Sequence, residues 1–205
     1  MRLRMDFERA FGALAFARPL FYQYPGGIRF ELSEGGSTVD QFLTAMRKAQ
    51  MICDSVFAGA ETLTIVLCAR AWGSPFSQRV ALRDLRRAGI RIPSDRSMWT
   101  EALNGPVMIG DEPDVWIRIA FQAPIHRLPN LLWCALSCDL NIEPSPGITV
   151  YLADLPSQIL VLPYDDRGMD VVGPNHERLA SLYREFQPLT LEYDREQMQA
   201  TFHAV

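Results

Sequence analysis

The chain has no run of about 18 apolar residues, so no segment reads as a transmembrane helix. Histidine is scarce and scattered, with three in 205 residues, and the four cysteines form no CxxC pair, so no zinc-ligand set emerges. Cys53, Cys68, Cys134 and Cys138 each fall inside an apolar helix or strand pattern, with Cys134 and Cys138 four apart on one helical face. Buried, reduced thiols of a cytosolic protein are the expectation. There is no nucleophile–base motif, no phosphate-binding loop and no metal signature. Internal repeats of solenoid length are absent as well. These absences predict a cytoplasmic protein with no cofactor and no metal, and they leave the oligomeric state open.

What is present is ordinary globular composition, 48% hydrophobic and 21% charged, which argues against disorder and supplies a core that needs no disulfide staples. The start, MRLRMDFERAFGALAFARPLFYQYP, couples basic residues to an apolar patch. Asp6, Glu8, Arg9 and Arg18 interrupt any signal-peptide core, so it reads as an amphipathic first helix. The net charge of −4 is unevenly spread: residues 1–100 hold 14 Lys+Arg against 9 Asp+Glu, and residues 101–205 hold 6 against 15. The acidic second half disfavours nucleic acid as a ligand there and suits a basic protein partner. Solvated acidic surface is the plain alternative.

Periodicity gives the elements. Ile28, Phe30 and Leu32 alternate as a strand. The stretch from Ser37 reads as a helix, with Ser37 or Thr38 as its cap and Phe42, Met46, Ala49, Ile52 and Cys53 on one face. ETLTIVLCARAW is a strand apolar enough to be buried on both faces, and SPFSQRVALRDLRRAGI is a helix that ends at Gly89. Turn formers then dominate as far as VWIRIAFQAP, a strand with Trp116 and Arg118 on one face. A short apolar helix containing Pro129 follows, then three strand-like runs, ITVYLAD, SQILVLPYD and MDVVG, and two closing helices. The prediction is an α+β (mixed α/β) fold: a mixed sheet with packed helices, and a C-terminal β-meander or hairpin followed by two helices. A single domain over 1–205 is expected, with a possible subdivision near 91–113 between an N-terminal half, 1–90, and a C-terminal half, 114–205.

The stretch PYDDRGMDVVGPNHERLASLYREF is dense in candidate chemistry. Asp165, Asp166 and Asp170 flank Arg167 and Gly168. As a turn, the aspartates bond local amides, Arg167 pairs with Asp170 or Asp194, and Gly168 takes positive φ in an exposed hairpin tip. Pro163 cannot donate to a ladder, so its strand is an edge or is bulged there. As catalysis, the carboxylates would need a partner, and His176 and Tyr164 are the local candidates. As a metal site the spacing fails, since no terminal bidentate Glu follows. As a contact surface, an acidic tip would anchor basic groups. Downstream, Asp194 reads as the cap of the last helix, with Gln197 completing a capping box and Met198 and Phe202 packing inward.

This region resembles the C-terminal signature of a bacterial family of unknown function, DUF3885. The matching residues are Tyr164 to Gly168, Val171-Val172, Leu182-Tyr183, Tyr193 to Glu196 and Phe202, with a fainter likeness at Gly27 to Leu32. One departure stands before Tyr193, where members more often carry a Trp. The resemblance implies bacterial origin, no established chemistry, and a structural signature of Tyr164, Gly168, Tyr183, Tyr193, Asp194 and Arg195. By analogy it suggests the single-domain proteins of toxin–immunity loci. Three functions follow as expectations. The first is a non-catalytic binding protein, foremost an immunity protein that neutralises a basic partner, such as a secreted toxin domain, through Asp165, Asp166, Arg167 and Asp170. The second is a small hydrolase using Asp165, Asp166 or Asp170 with His176. The third is an oligomeric or structural scaffold, which would show a large apolar patch.

Overall fold

The computed structural model describes residues 2–16, 19–71, 75–102 and 115–202. The strands are β1 (Ile28–Glu31), β2 (Thr62–Ala71), β3 (Ser97–Ala102), β4 (Val115–Pro124), β5 (Thr149–Asp154), β6 (Ile159–Asp165) and β7 (Gly168–Val172). They form one sheet in the order β1-β7-β6-β5-β2-β4-β3. The helices are α1 (Arg2–Phe11), α2 (Leu20–Gln23), α3 (Thr38–Val56), α4 (Pro75–Arg87), α5 (Leu128–Leu136), α6 (His176–Phe186) and α7 (Arg195–Phe202), with short 3-10 turns between some of them. The α+β class holds, with one refinement: every strand pairing is antiparallel, so the sheet is not mixed in direction. The meander β5-β6-β7 needs only tight turns, and no pairing calls for a parallel crossover. Central β2 lies between β4 and β5, so strands from both sides of the 91–113 stretch share this sheet.

Strand alternation divides the sheet into two apolar faces. Ile28, Phe30, Ile65, Leu67, Val161 and Val171 face a layer built by α3, α5, α6 and α7. Val66, Tyr151, Leu160, Leu162 and Val172 face the opposite way and are covered by the N-terminal segment, through Phe7, Phe11 and Leu20. The amphipathic first helix is therefore a cover for the second face. β2 is buried on both sides, as its apolar run predicted.

Local rules set the boundaries. Ser37 caps α3 in a capping box with Asp40. α4 ends where Gly89 takes a φ of 82°. Pro163 sits next to a bulge, between Pro163 and Asp165, in a strand flanked by β5 and β7, so of the two expectations the bulge holds and the edge does not. β3 falls inside the stretch read as connection. Its six residues are hemmed by turn formers on both sides, which hides the alternation, and residues 103–114 of that stretch lie outside the described set. Among the described residues no helix is long and apolar enough to cross a membrane.

Candidate functional site

Tyr164, Asp170 and Asp194 gather at the β1–β7 edge, around an arginine that sequence reasoning passed over. Arg29 sits in β1 directly opposite Asp170 in β7. Its Nε donates to Asp170 Oδ1 at 2.7 Å and its Nη2 to Oδ2 at 3.1 Å, a bidentate pair. Asp170 Oδ2 also accepts from the backbone N–H of Phe21, at 3.0 Å. Arg29 Nη1 donates to Asp194 Oδ2 at 3.4 Å, and Asp194 Oδ1 accepts from the Tyr22 hydroxyl at 2.8 Å. The guanidinium lies 4.6 Å from the ring centre of Tyr22, 5.0 Å from Phe21 and 5.5 Å from Tyr164. Burial, the largest single cause, lowers the pKa of Arg29, but the bond to Asp170 and the charges of Asp170, Tyr164 and Tyr22 together outweigh it and hold the guanidinium above its usual range. Tyr164 is pushed up, by burial first and by the charge of Asp170 second.

The structure corrects the exposed acidic tip. Asp165, Asp166 and Asp170 are buried, Asp170 to 1% exposure. Asp165 accepts from the backbone N–H of Arg167 at 2.8 Å and pairs with the Arg167 side chain, the one member of the turn that projects to solvent. Asp166 accepts from the Ser33 hydroxyl at 3.2 Å. Arg167 thus pairs with Asp165 and not with Asp170 or Asp194, whose partner is Arg29. The hairpin is buried because β1 runs alongside it and the Leu32 N–H extends the ladder to the Arg167 carbonyl, at 2.9 Å.

Gly168 is also corrected. Its φ lies outside the left-handed region, and its backbone is the first residue of β7. Glycine is needed for space: a Cβ would stand 1.9 Å from the Tyr164 hydroxyl and 2.9 Å from the Phe30 carbonyl oxygen. Asp194 does not make the expected capping box with Gln197, because its carboxylate is turned to Tyr22 and Arg29. Tyr183 is fully buried and stacks on Phe202 at 4.9 Å, so its place is the core. Arg195 opens α7 and is half-buried. Tyr193 is 86% exposed, with no core to fill.

Of the hydrolase constellation, Asp170 and His176 are not brought together. His176 stacks on Phe202 within the α-helical layer, whereas Asp170 alternates with Met169 and Val171 and points to the other face. Beside the arginine cluster lies an open depression of about 420 Å³, lined by Pro19, Leu20, Arg29, Leu162, Tyr164 and Asp170. Arg29 and Asp170 already hold one another there, so what it offers a visitor is shape and aromatic edge. Among the described residues, no group of three or more His, Cys, Asp or Glu side chains is placed to hold a metal ion. Arg29, Tyr22 and Ser33 were missed. An arginine at the odd position of an alternating strand reads as solvent-facing, and only the cover laid by α2 makes it internal.

An antiparallel sheet with helices on one face, an N-terminal cover on the other and a buried arginine–carboxylate clamp defines the class of the molecule. The chain belongs to the family described as domain of unknown function DUF3885, which matches residues 3–194. No curated protein matches the chain, and no solved structure does.

Proposed function

We propose that this is a non-catalytic binding protein whose contact surface lies around Tyr193 at the rim of the arginine clamp. The observation that carries the reading is Tyr193 itself, 86% exposed immediately beside a carboxylate locked into the buried network. An exposed aromatic on a rigid support is the residue type that dominates binding energy at interfaces. Tyr22, 46% exposed, joins it through the shared Asp194. Glu192 and Glu196 flank Tyr193 in sequence and are exposed, so the acidic character expected of the partner surface moves from the hairpin aspartates to these glutamates. A basic protein partner fits this surface, and an immunity protein acting on a cognate toxin is the first case to test. The committed hydrogen bonds of Asp165, Asp170 and Asp194 support binding over hydrolysis, since a carboxylate held by arginine is a poor general base.

The test is co-expression with the product of the adjacent upstream gene. The expected outcome is that this chain relieves growth inhibition by that product, that Tyr193→Ala weakens the complex by about tenfold or more, and that Glu192→Lys with Glu196→Lys slows association and flattens its salt dependence. A folded Tyr193→Ala variant that binds with unchanged affinity overturns the placement of the surface.

A further inference from the structure

At the other end of the sheet the charge reverses. The C-terminal end of α4, the segment after it and the end of β4 border a half-open cavity of about 590 Å³. Arg86, Arg91, His126 and Arg127 line it, Gln122 adds an amide, and Ile90 and Phe121 form an apolar floor. No lining residue is acidic. The walls are fixed by bonds that do not involve the cations. The N–H of Gly89 donates to the Arg86 carbonyl at 3.0 Å, that of Ile90 to the Leu85 carbonyl at 2.9 Å, and Asn130 Nδ2 donates to the Ala88 carbonyl at 2.8 Å, tying α5 to α4. Gly89 leaves room for the opposite wall: a Cβ there would lie 3.0 Å from Asn130 Nδ2 and 3.6 Å from Arg127 Nη1.

The arginines of this region divide into two sets. Arg83 and Arg87 are paired with Asp84, at 3.0 and 3.3 Å, and Arg87 also with Glu143, at 3.2 Å. Arg86, Arg91 and Arg127 have no carboxylate partner among the described residues, and these are the three that face the cavity. Like charges around one concavity repel, and an anion between them removes that repulsion. The negative end of the α4 dipole also points here, but it amounts to about half a charge and its last carbonyls are already bonded, so three guanidinium charges outweigh it. A simple carboxylate would occupy one arginine fork. Three forks from separate elements suit a group with three terminal oxygens. The volume is in the range of small-molecule sites, about 300–1,000 Å³, and the apolar floor favours a ligand with a non-polar body.

The geometry points to this cavity as a binding site for a phosphorylated small molecule, with Arg86, Arg91 and Arg127 on the phosphate and Ile90 and Phe121 beneath the organic part. It is separate from the Tyr193 surface and stands or falls independently of it. The probes are phenyl phosphate, inorganic phosphate and benzoate, titrated calorimetrically into the full chain at matched ionic strength. Phenyl phosphate is expected to bind saturably and more tightly than either of the others. Arg91→Gln and Arg127→Gln are each expected to weaken it by about tenfold or more, while Arg83→Gln, outside the cavity, leaves it unchanged. Melting curves without ligand establish that the variants fold, and loss of repulsion should leave Arg91→Gln at least as stable as the parent. No saturable heat from phenyl phosphate in the parent protein overturns the site, as does equal weakening by Arg83→Gln. Vesicles containing phosphatidic acid form a second arm: co-sedimentation abolished by Arg127→Gln would place the phosphate on a lipid and overturn the soluble ligand.

Discussion

A methyl group on Gly168 has nowhere to go, with the Tyr164 hydroxyl and ring on one side and the Phe30 carbonyl on the other. Gly168→Ala is expected to destabilise by roughly 1–3 kcal/mol, the usual penalty of overpacking, read as a shift in the urea midpoint. Trimming the clashing ring by Tyr164→Leu in the same chain should recover part of the loss, and failure to do so would point to the Phe30 carbonyl contact. Arg29 poses the complementary problem. Arg29→Met removes the cation and leaves Asp170 buried and unpaired, at about 3–5 kcal/mol. Arg29→Met with Asp170→Leu should regain much of it, and the double-mutant cycle measures the coupling. Asp166 gives a pH signature. Burial raises its pKa above the unfolded value, with the Ser33 bond opposing and not cancelling the shift. The folded state therefore holds the proton more tightly, and stability contributed by the neutral acid is lost as pH rises through the raised pKa. Asp166→Asn should raise the melting temperature at pH 7 and leave it unaltered well below the unfolded carboxylate pKa. A rise of the same size at both pH values would show that charge is not the cause. Residues of this kind were half legible. The Asp-Asp-Arg-Gly spelling announces a turn, and Asp165 does bond the Arg167 amide. Sequence cannot show that β1 lies alongside that turn and buries it, because the two are about 140 positions apart, as the pair Arg29–Asp170 is.

Elements were read more securely where a local cap or period defines them. α3 carries its capping box in four letters, and α4 its terminal glycine. β3 was lost because six residues between turn formers give too few alternations, and among the described residues its only strand partner is β4. The cysteines belong to this scale, since each is placed by its helix or strand. None of the four is in a disulfide, with Cys53, Cys68 and Cys134 buried and Cys138 half-buried. Burial pushes the thiols of Cys53, Cys134 and Cys138 up, Cys134 to about 12, so the reactive thiolate is suppressed at these three. Ellman titration without reductant should report four thiols in denaturant and react slowly with the native protein. Fewer than four in denaturant, with an internal bridge confirmed by mass, would contradict this.

At the scale of the molecule, opposite charge is held at opposite ends of one sheet: the exposed glutamates beside Tyr193 near β1, and the unpaired arginines beside β4. The division of the chain into a basic and an acidic half does not map onto these ends, since β4 and Arg127 belong to the acidic half, and it does not show that the acidic hairpin is interior. The interlocking of segments far apart in sequence has a further consequence, for synthesis. Among the described residues β1 pairs only with β7 in the sheet, its other side meets Thr190 and Leu191, and α2 is fastened by Asp170 and Asp194. Residues 20–31, which hold α2 and β1, therefore wait for residues 168–194 before they are held, and such long-range closure makes folding slow. Nascent chains arrested before Thr190 should keep the α2–β1 segment open to protease, and that sensitivity should vanish once Asp194 has emerged.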